Sequence, residues 1–259
     1  FGMLDVVNIA HPGFIILGSY IAYIVNSQYG FDPILVALVL SPLFFLLGMA
    51  LYRVYYVCFE MRGQESLRGL AFFFGILFIT EVVLILVFGV DYRTVKTVYA
   101  DTTLRLGVVD FPLRLVVPFL VSMAMVVGIQ LFLTHTFFGR AVLAVAQDQL
   151  ALRLMGVNPI QIKARAFALS IATAGVAGAF LIVIQPVEPS IGREYIGLVF
   201  AVCVLGGMGS IWGTLLGAFV LGLAESFTST FFGPSWAPAV SFGLLLFALA
   251  FRPAGLLGR

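Results

Sequence analysis

Residues 139–163 read GRAVLAVAQDQLALRLMGVNPIQIK and separate two apolar segments, each long enough to cross a bilayer. The stretch carries charged and amide groups, yet its punctuation is that of helix. Asp148 suits an N-cap, because its carboxylate can accept the free backbone N–H groups of a turn that begins at Gln149. Gly156 fits the left-handed position after a helix, Arg153 falls in the last turn where a cation suits the dipole, and Pro159 bars continuation. The pattern predicts a short helix from about Arg140 to Ala146, a break at Gln147–Asp148 and a second helix ending near Met155. A linker has no need of such order, whereas a docking element does.

Around this stretch the chain is apolar. Of its 259 residues 62% are hydrophobic and 10% charged, where soluble domains carry about 45–50% and about 25%. Mean hydropathy is +1.13. So few charges cannot cover a water-facing surface. The prediction is an all-α polytopic membrane protein, one domain over residues 1–259. It has about eight transmembrane or half-membrane helices, with broken helices and a candidate inverted repeat.

Spans at about 34–57, 70–88, 113–134 and 164–184 approach the roughly 20 residues a crossing needs. The run 14–25 is shorter and follows Asn8-Ile9-Ala10-His11-Pro12-Gly13, which predicts a helix that begins part-way through the membrane after a bent segment. Runs 196–205 and 211–223 also fall short and are split by Gly206-Gly207-Met208-Gly209-Ser210, so they read as a re-entrant pair or as discontinuous helices. A last run covers about 239–251. Interrupted segments in two halves of a chain point to a transporter's midplane site. The chain opens at Phe1 without an initiator Met, so upstream residues, including a first helix, are expected before it.

Lys and Arg near span ends set the orientation. Arg53, Arg62, Arg68, Arg140, Arg153, Lys163, Arg165, Arg252 and Arg259 fall on one side, and Arg93, Lys96, Arg105, Arg114 and Arg193 on the other. Nine against five places the C-terminus in the cytoplasm. The loop 89–112 also carries Asp91, Asp101 and Asp110 and is long enough to fold over the outer face. Cys58 and Cys203 have no disulfide or metal spacing. His11 and His135 lie far apart with no zinc pattern around them, no catalytic set occurs, and nothing is patterned for nucleic acid. With no GxxxxGK[ST] loop, ATP hydrolysis would have to come from a partner.

Several motifs carry a family likeness. Asn8 to Gly13 resembles the NxAHG element of branched-chain amino acid ABC permeases, with Pro12 where that family has Gly after His. Phe138-Gly139-Arg140-Ala141 through Asp148 and Leu152-Arg153-Leu154-Met155-Gly156-Val157 are similar to the family's cytoplasmic loop. Phe167-Ala168-Leu169-Ser170 with Ala174 to Gly178 resembles its next helix. Val204 to Ser210 with Gly213, Gly217 and Glu225 resembles its GGxGS segment, and Phe251 to Leu256 its RPxGL ending. AVAQD…RLMG resembles the shorter, LivH-type permease, and KxxAFxxS at 163–170 its longer partner.

The likeness runs nearly the full length, in order. It implies a second permease subunit, two cytoplasmic ATPases that use ATP, and a periplasmic solute-binding protein, in a bacterial inner membrane. The family imports branched-chain amino acids, and close relatives import urea or short amides.

Arg140, Gln147, Asp148, Ala151, Leu154 and Gly156 are therefore expected to couple to an ATPase. A rigid helix seated in a groove can transmit a push, and Leu150 and Leu154 share one helical face. The bland alternative is a loop packing on its own helices. Asn8, His11, Glu81, Gly206, Gly207, Gly209 and Ser210 are candidates for the substrate pathway, although His11 can simply cap helix ends. Close packing would also explain the glycines. Three of them within residues 206–209 cost a helix about 1 kcal/mol each, which favours a bent backbone facing a cavity.

Glu81 inside a span costs on the order of 2.5–3.5 kcal/mol and must pair, face a cavity or be protonated. Thr80 and Gln130 are its candidate neighbours, and Glu225 is expected to be solvated near the outer surface. Small residues at 166–179 predict the central packing helix. The rival to an ABC permease is an autonomous ion-coupled carrier, with Glu81 as its coupling-ion site.

Overall fold

A computed structural model describes residues 4, 6–63, 66–97, 99, 102–106, 109–252 and 254–258. Phe1, Asp101, Pro253, Arg259 and the Arg62 side chain lie outside the described residues. The described chain forms ten α-helices: α1 His11–Tyr29, α2 Pro33–Cys58, α3 Ser66–Phe88, α4 Leu113–His135, α5 Phe137–Gln147, α6 Gln149–Leu154, α7 Pro159–Ile184, α8 Gly192–Gly206, α9 Ile211–Phe231 and α10 Ala237–Phe251. Seven of these, α8 and α10 together with the 3-10 turns that lead into them, are long and apolar enough to cross a membrane. This is an all-α polytopic membrane protein, with α1 as a further helix outside those seven. Among the described residues the only strands are a hairpin in the 89–112 loop, β1 Thr103–Leu106 and β2 Val109–Pro112, with Leu104 opposite Phe111 and Arg105 opposite Asp110.

Local chemistry starts and stops the helices. Pro33 opens α2 behind Asp32, whose Oδ1 accepts the Ile34 N–H at 2.8 Å, satisfying a donor that helix geometry leaves free. Asn158 does the same for Ile160 at the start of α7, and Ser210 for Gly213 at the start of α9.

The small residues of α7 make it the hub. About 61% of its apolar window is buried, against 6% for α4, which stays on the periphery. Gly18 of α1 lies on Gly175, where a Cβ would come within 2.6 Å of a carbonyl oxygen. The next residue, Ser19, donates from Oγ to the Gly178 carbonyl at 2.7 Å, about one turn further along α7. On the other side Phe44 of α2 covers Gly175, Gly48 meets Ala168 and Ile171, and the Tyr52 ring packs on Phe167. Thus α1 runs parallel to α7 and α2 antiparallel. A second cluster joins α8, α9 and α10 through Ala201, Val204, Leu205, Leu221, Leu245 and Ala248.

The two ends of the bundle are distinct. At the basal end, which carries α5 and α6, Lys163 at the start of α7 bonds Glu60 just beyond α2. At the distal end the backbones of Arg93 and Val187 exchange hydrogen bonds at 2.9 Å, and Asn26 reaches the Lys96 carbonyl.

Depth follows from these contacts. Since Gly18 lies beside Gly175, the first residue of α1 lies beside about residue 168 of α7, roughly 13 Å above Pro159 at 1.5 Å per residue. So α1 does begin part-way through the bundle. Gly192, the first residue of α8, packs against Gly13 and Ile16 of α1 at that same depth. Residues 188–191 therefore descend from the distal Arg93–Val187 bridge into the interior.

This corrects the expected position of the second break. The glycine run at 206–210 forms the basal turn between α8 and α9, and the mid-depth break precedes α8 instead. It also corrects the length of α9, which runs 21 residues where hydropathy alone stopped at 223. Polar side chains do not end that helix because it absorbs them. Thr228 and Thr230 hydroxyls donate to carbonyls one turn back, and Glu225 accepts from Ser241 of α10. Glu225 is thus a partnered side chain between helices rather than a solvated one.

Candidate coupling surface and pathway cavity

Thr136 caps α5 by accepting the Gly139 N–H at 3.0 Å. The first of the paired helices therefore begins at Phe137, three residues before the expected Arg140, since a hydroxyl cap lay just upstream. Gly139 is required there because a Cβ would run into the Leu133 backbone. One face of α5 buries Ala141, Val142 and Val145 against Leu133, Leu152 and Ile162, leaving Arg140 and Gln147 exposed.

The break falls where expected. Asp148 Oδ1 accepts the Leu150 N–H at 2.8 Å and the Ala151 N–H at 3.0 Å, which starts α6. Gly156 then adopts φ +78°, its N–H donates to Arg153 O, and the Val157 N–H donates to Leu152 O. That left-handed turn satisfies carbonyls the helix end would leave free. Leu152 anchors α6 inward, while Leu150, Leu154 and Met155 are 67%, 83% and 80% exposed. Arg140, Gln147, Asp148 and Ala151 line one cleft of about 490 Å³ together with Phe137 and Met155. Leu154 and Gly156 lie outside that cleft. Sequence reasoning passed over Met155 because it was used only to mark the helix end.

Replacing Asp148 with alanine is expected to cost α6 about 1 kcal/mol, a typical N-cap loss. Hydrogen exchange at the amides of Leu150 and Ala151 should quicken several-fold while α7 amides hold.

The second constellation is internal. Asn8, in the non-helical segment before α1, shares a cavity of about 230 Å³ with Ser170 of α7, Cys203 of α8, Gly209 and Ser210 of the α8–α9 turn, and Thr214 of α9. Among the described residues, no charged side chain lines it. Both amide atoms of Asn8 are buried without a hydrogen-bond partner among the described residues. An unpaired buried amide is costly, and in an open cavity it is free to bond a guest.

Three of the expected pathway residues, Asn8, Gly209 and Ser210, therefore come together, and the others do not. The His11 N–H donates to Asn8 O at the start of α1, but His11 is not part of the cavity wall. Gly206 lies against Gly213, and Gly207, at φ +98°, lies against Gly255 and Gly258 of the C-terminal tail. The tail also occupies the carbonyls of α8, with Leu256 N–H on Leu205 O and Leu257 N–H on Gly206 O. Close backbone approach, not an open cavity, explains those two glycines.

Glu81 is likewise elsewhere. It bonds Arg193 of α8 at 2.9 Å, and the Arg193 guanidinium also covers the Phe78 ring. The expected neighbours were wrong: Thr80 bonds the Ile76 carbonyl, and Gln130 lines a cleft beside α5. The charge pattern places Arg193 with the outer loop, but the descent of the chain before α8 brings it down to Glu81. Ser170, Cys203 and Thr214 are not among the expected pathway residues, because small polar residues inside spans carry no signal that places them at a cavity.

A family model described as branched-chain amino acid transport system, permease component, matches residues 1–249. The high-affinity branched-chain amino acid transport system permease protein BraD of Pseudomonas aeruginosa is 30% identical, across 100% of this chain and 88% of the relative. The corresponding LivH of Salmonella typhimurium is 26% identical over the same shares. Its LivM is 29% identical over 99% of this chain and 64% of the relative. No solved structure matches the chain.

Proposed function

The chain belongs to the permease-component family of branched-chain amino acid transport systems, and on that premise we propose that it is a membrane subunit of an ATP-driven importer. It passes a branched-chain amino acid, or a similar small polar solute such as urea or a short amide, by alternating access. A second permease subunit completes the pathway, two ATPase subunits drive it, and a periplasmic binding protein delivers the solute. The membrane is the bacterial inner membrane, with the basal end and the C-terminus in the cytoplasm.

The observation that carries this reading is the α5–α6 pair. A six-residue helix is too short to hold itself in water, yet α6 is capped at both ends and anchored by Leu152. It presents Leu150, Leu154 and Met155 outward beyond the apolar spans. Such exposed apolar side chains on a rigid short helix suit a groove on another protein. The Asn8 cavity supports the transport half of the reading. The described residues of its wall are uncharged, which suits a solute without net charge, and Asn8 offers it one donor and one acceptor group. The rival, an autonomous carrier with Glu81 as its ion site, is disfavoured because Arg193 already neutralises that carboxylate.

The test is leucine uptake into proteoliposomes holding this chain with its partner permease and ATPases. Uptake should require ATP and the binding protein. Uptake by this chain alone, driven by an ion gradient without ATP, would decide for the rival.

A further inference from the structure

At the basal end, behind α6, an ion pair is almost wholly buried. Lys163 Nζ lies 2.7 Å from Glu60 Oε1, with the two side chains 4% and 9% exposed. The Tyr52 hydroxyl donates to the other carboxylate oxygen, Oε2, at 2.7 Å. Both oxygens of Glu60 are therefore engaged. Burying two charges is expensive, and apolar side chains of similar size often serve stability as well. What the pair does supply is a fixed, directional link between two points distant in sequence.

Those points matter. Lys163 sits one turn inside α7, directly beyond the 155–158 turn that carries α6. Glu60 sits in the 3-10 turn that ends α2, and α2 with α1 and α7 forms the hub of the bundle. Between α6 and the end of α2 lies a cleft of about 240 Å³, lined by Gln149 and Arg153 on one side and Tyr56 and Met61 on the other, with Glu60 and Lys163 also in its wall. A displacement of α6 across that gap reaches α2 through the start of α7.

We propose that the Lys163–Glu60 pair is the positioning link that passes displacement of α6 to α2, so that ATPase motion moves the bundle as one body. This rests on the reading of α6 as the ATPase contact. The link is tested in the assembled importer in proteoliposomes, measuring ATP hydrolysis, leucine uptake and their ratio. The apolar pair E60M/K163M should assemble and hydrolyse ATP as the parent does, while leucine moved per ATP falls about tenfold, a usual coupling magnitude. The reversed pair E60K/K163E should regain at least half of the ratio. An unchanged ratio in E60M/K163M overturns the link.

Should that variant fail to assemble, E60D is read instead, since it keeps the charge and shortens the reach by one methylene. A lowered ratio supports the link and an unchanged ratio overturns it. L154D separates the two ideas. If it loses uptake while E60M/K163M keeps the parental ratio, the link alone is wrong. If L154D transports normally, the ATPase-contact reading fails and the link falls with it.

Discussion

Gly178→Ala is expected to destabilise the protein by roughly 3 kcal/mol or more, at or beyond the usual upper range for overpacking. A Cβ at this position would lie 2.7 Å from the Ser19 backbone nitrogen and 3.0 Å from the Gly18 carbonyl carbon, and closer still to the Ile15 carbonyl oxygen. These are backbone atoms of a packed helix, so no side-chain rotation relieves the clash. Relief requires α1 to move off α7, which also breaks the bond from Ser19 Oγ to the Gly178 carbonyl. That loosens the segment carrying Asn8, because α1 holds it in place. Thermal unfolding of the detergent-solubilised protein is the measurement, with Gly222→Ala as the control. Gly222 has no atom within 4 Å of a Cβ, so its replacement inside α9 is expected to be neutral or to stabilise by up to about 1 kcal/mol. Equal behaviour of the two variants would mean that α1 is not seated as described.

The second large effect concerns function rather than stability. L150D/L154D is expected to assemble in the membrane in normal amount, because both side chains are largely exposed. Its affinity for the ATPase subunit should fall by about 2 kcal/mol or more, the loss typical of central apolar anchors in an interface. That is about thirtyfold. Co-purification of the ATPase with this chain and ATP-dependent leucine uptake should fall together. Normal co-purification would remove α6 from the docking surface. L152D is a different experiment, since Leu152 is buried with Val142, Val145 and Ile162. It should unseat α6 and show as faster hydrogen exchange across residues 149–154.

The capped helix pair was legible because its signals are local. Asp148 addresses N–H groups two and three residues away, and Gly156 closes a turn on Leu152 and Arg153. The hub helix was legible for a similar reason, since small residues on nearly every face of 166–179 leave little use but close packing. Helix ends were legible only where hydropathy and capping agree. At α9 they diverge, because Glu225, Thr228 and Thr230 are polar in sequence but bonded within the helix layer. The glycines at 206 and 207 misled, because a backbone pressed against other backbone and one open to a cavity have the same composition.

Residues 139–163, and the apolar runs around them, were enough to establish a multi-pass helical protein with an ordered helix pair at one end. Capping, periodicity and hydropathy act over a few residues, so the chain states them in order. The depth at which α8 begins, the pairing of Glu81 with Arg193, the Lys163–Glu60 link across 103 positions and the meeting of Asn8 with Ser210 were decided only in three dimensions. Each depends on which helices lie side by side, and apolar spans of similar length pack in many orders until shape and a few polar bonds select one.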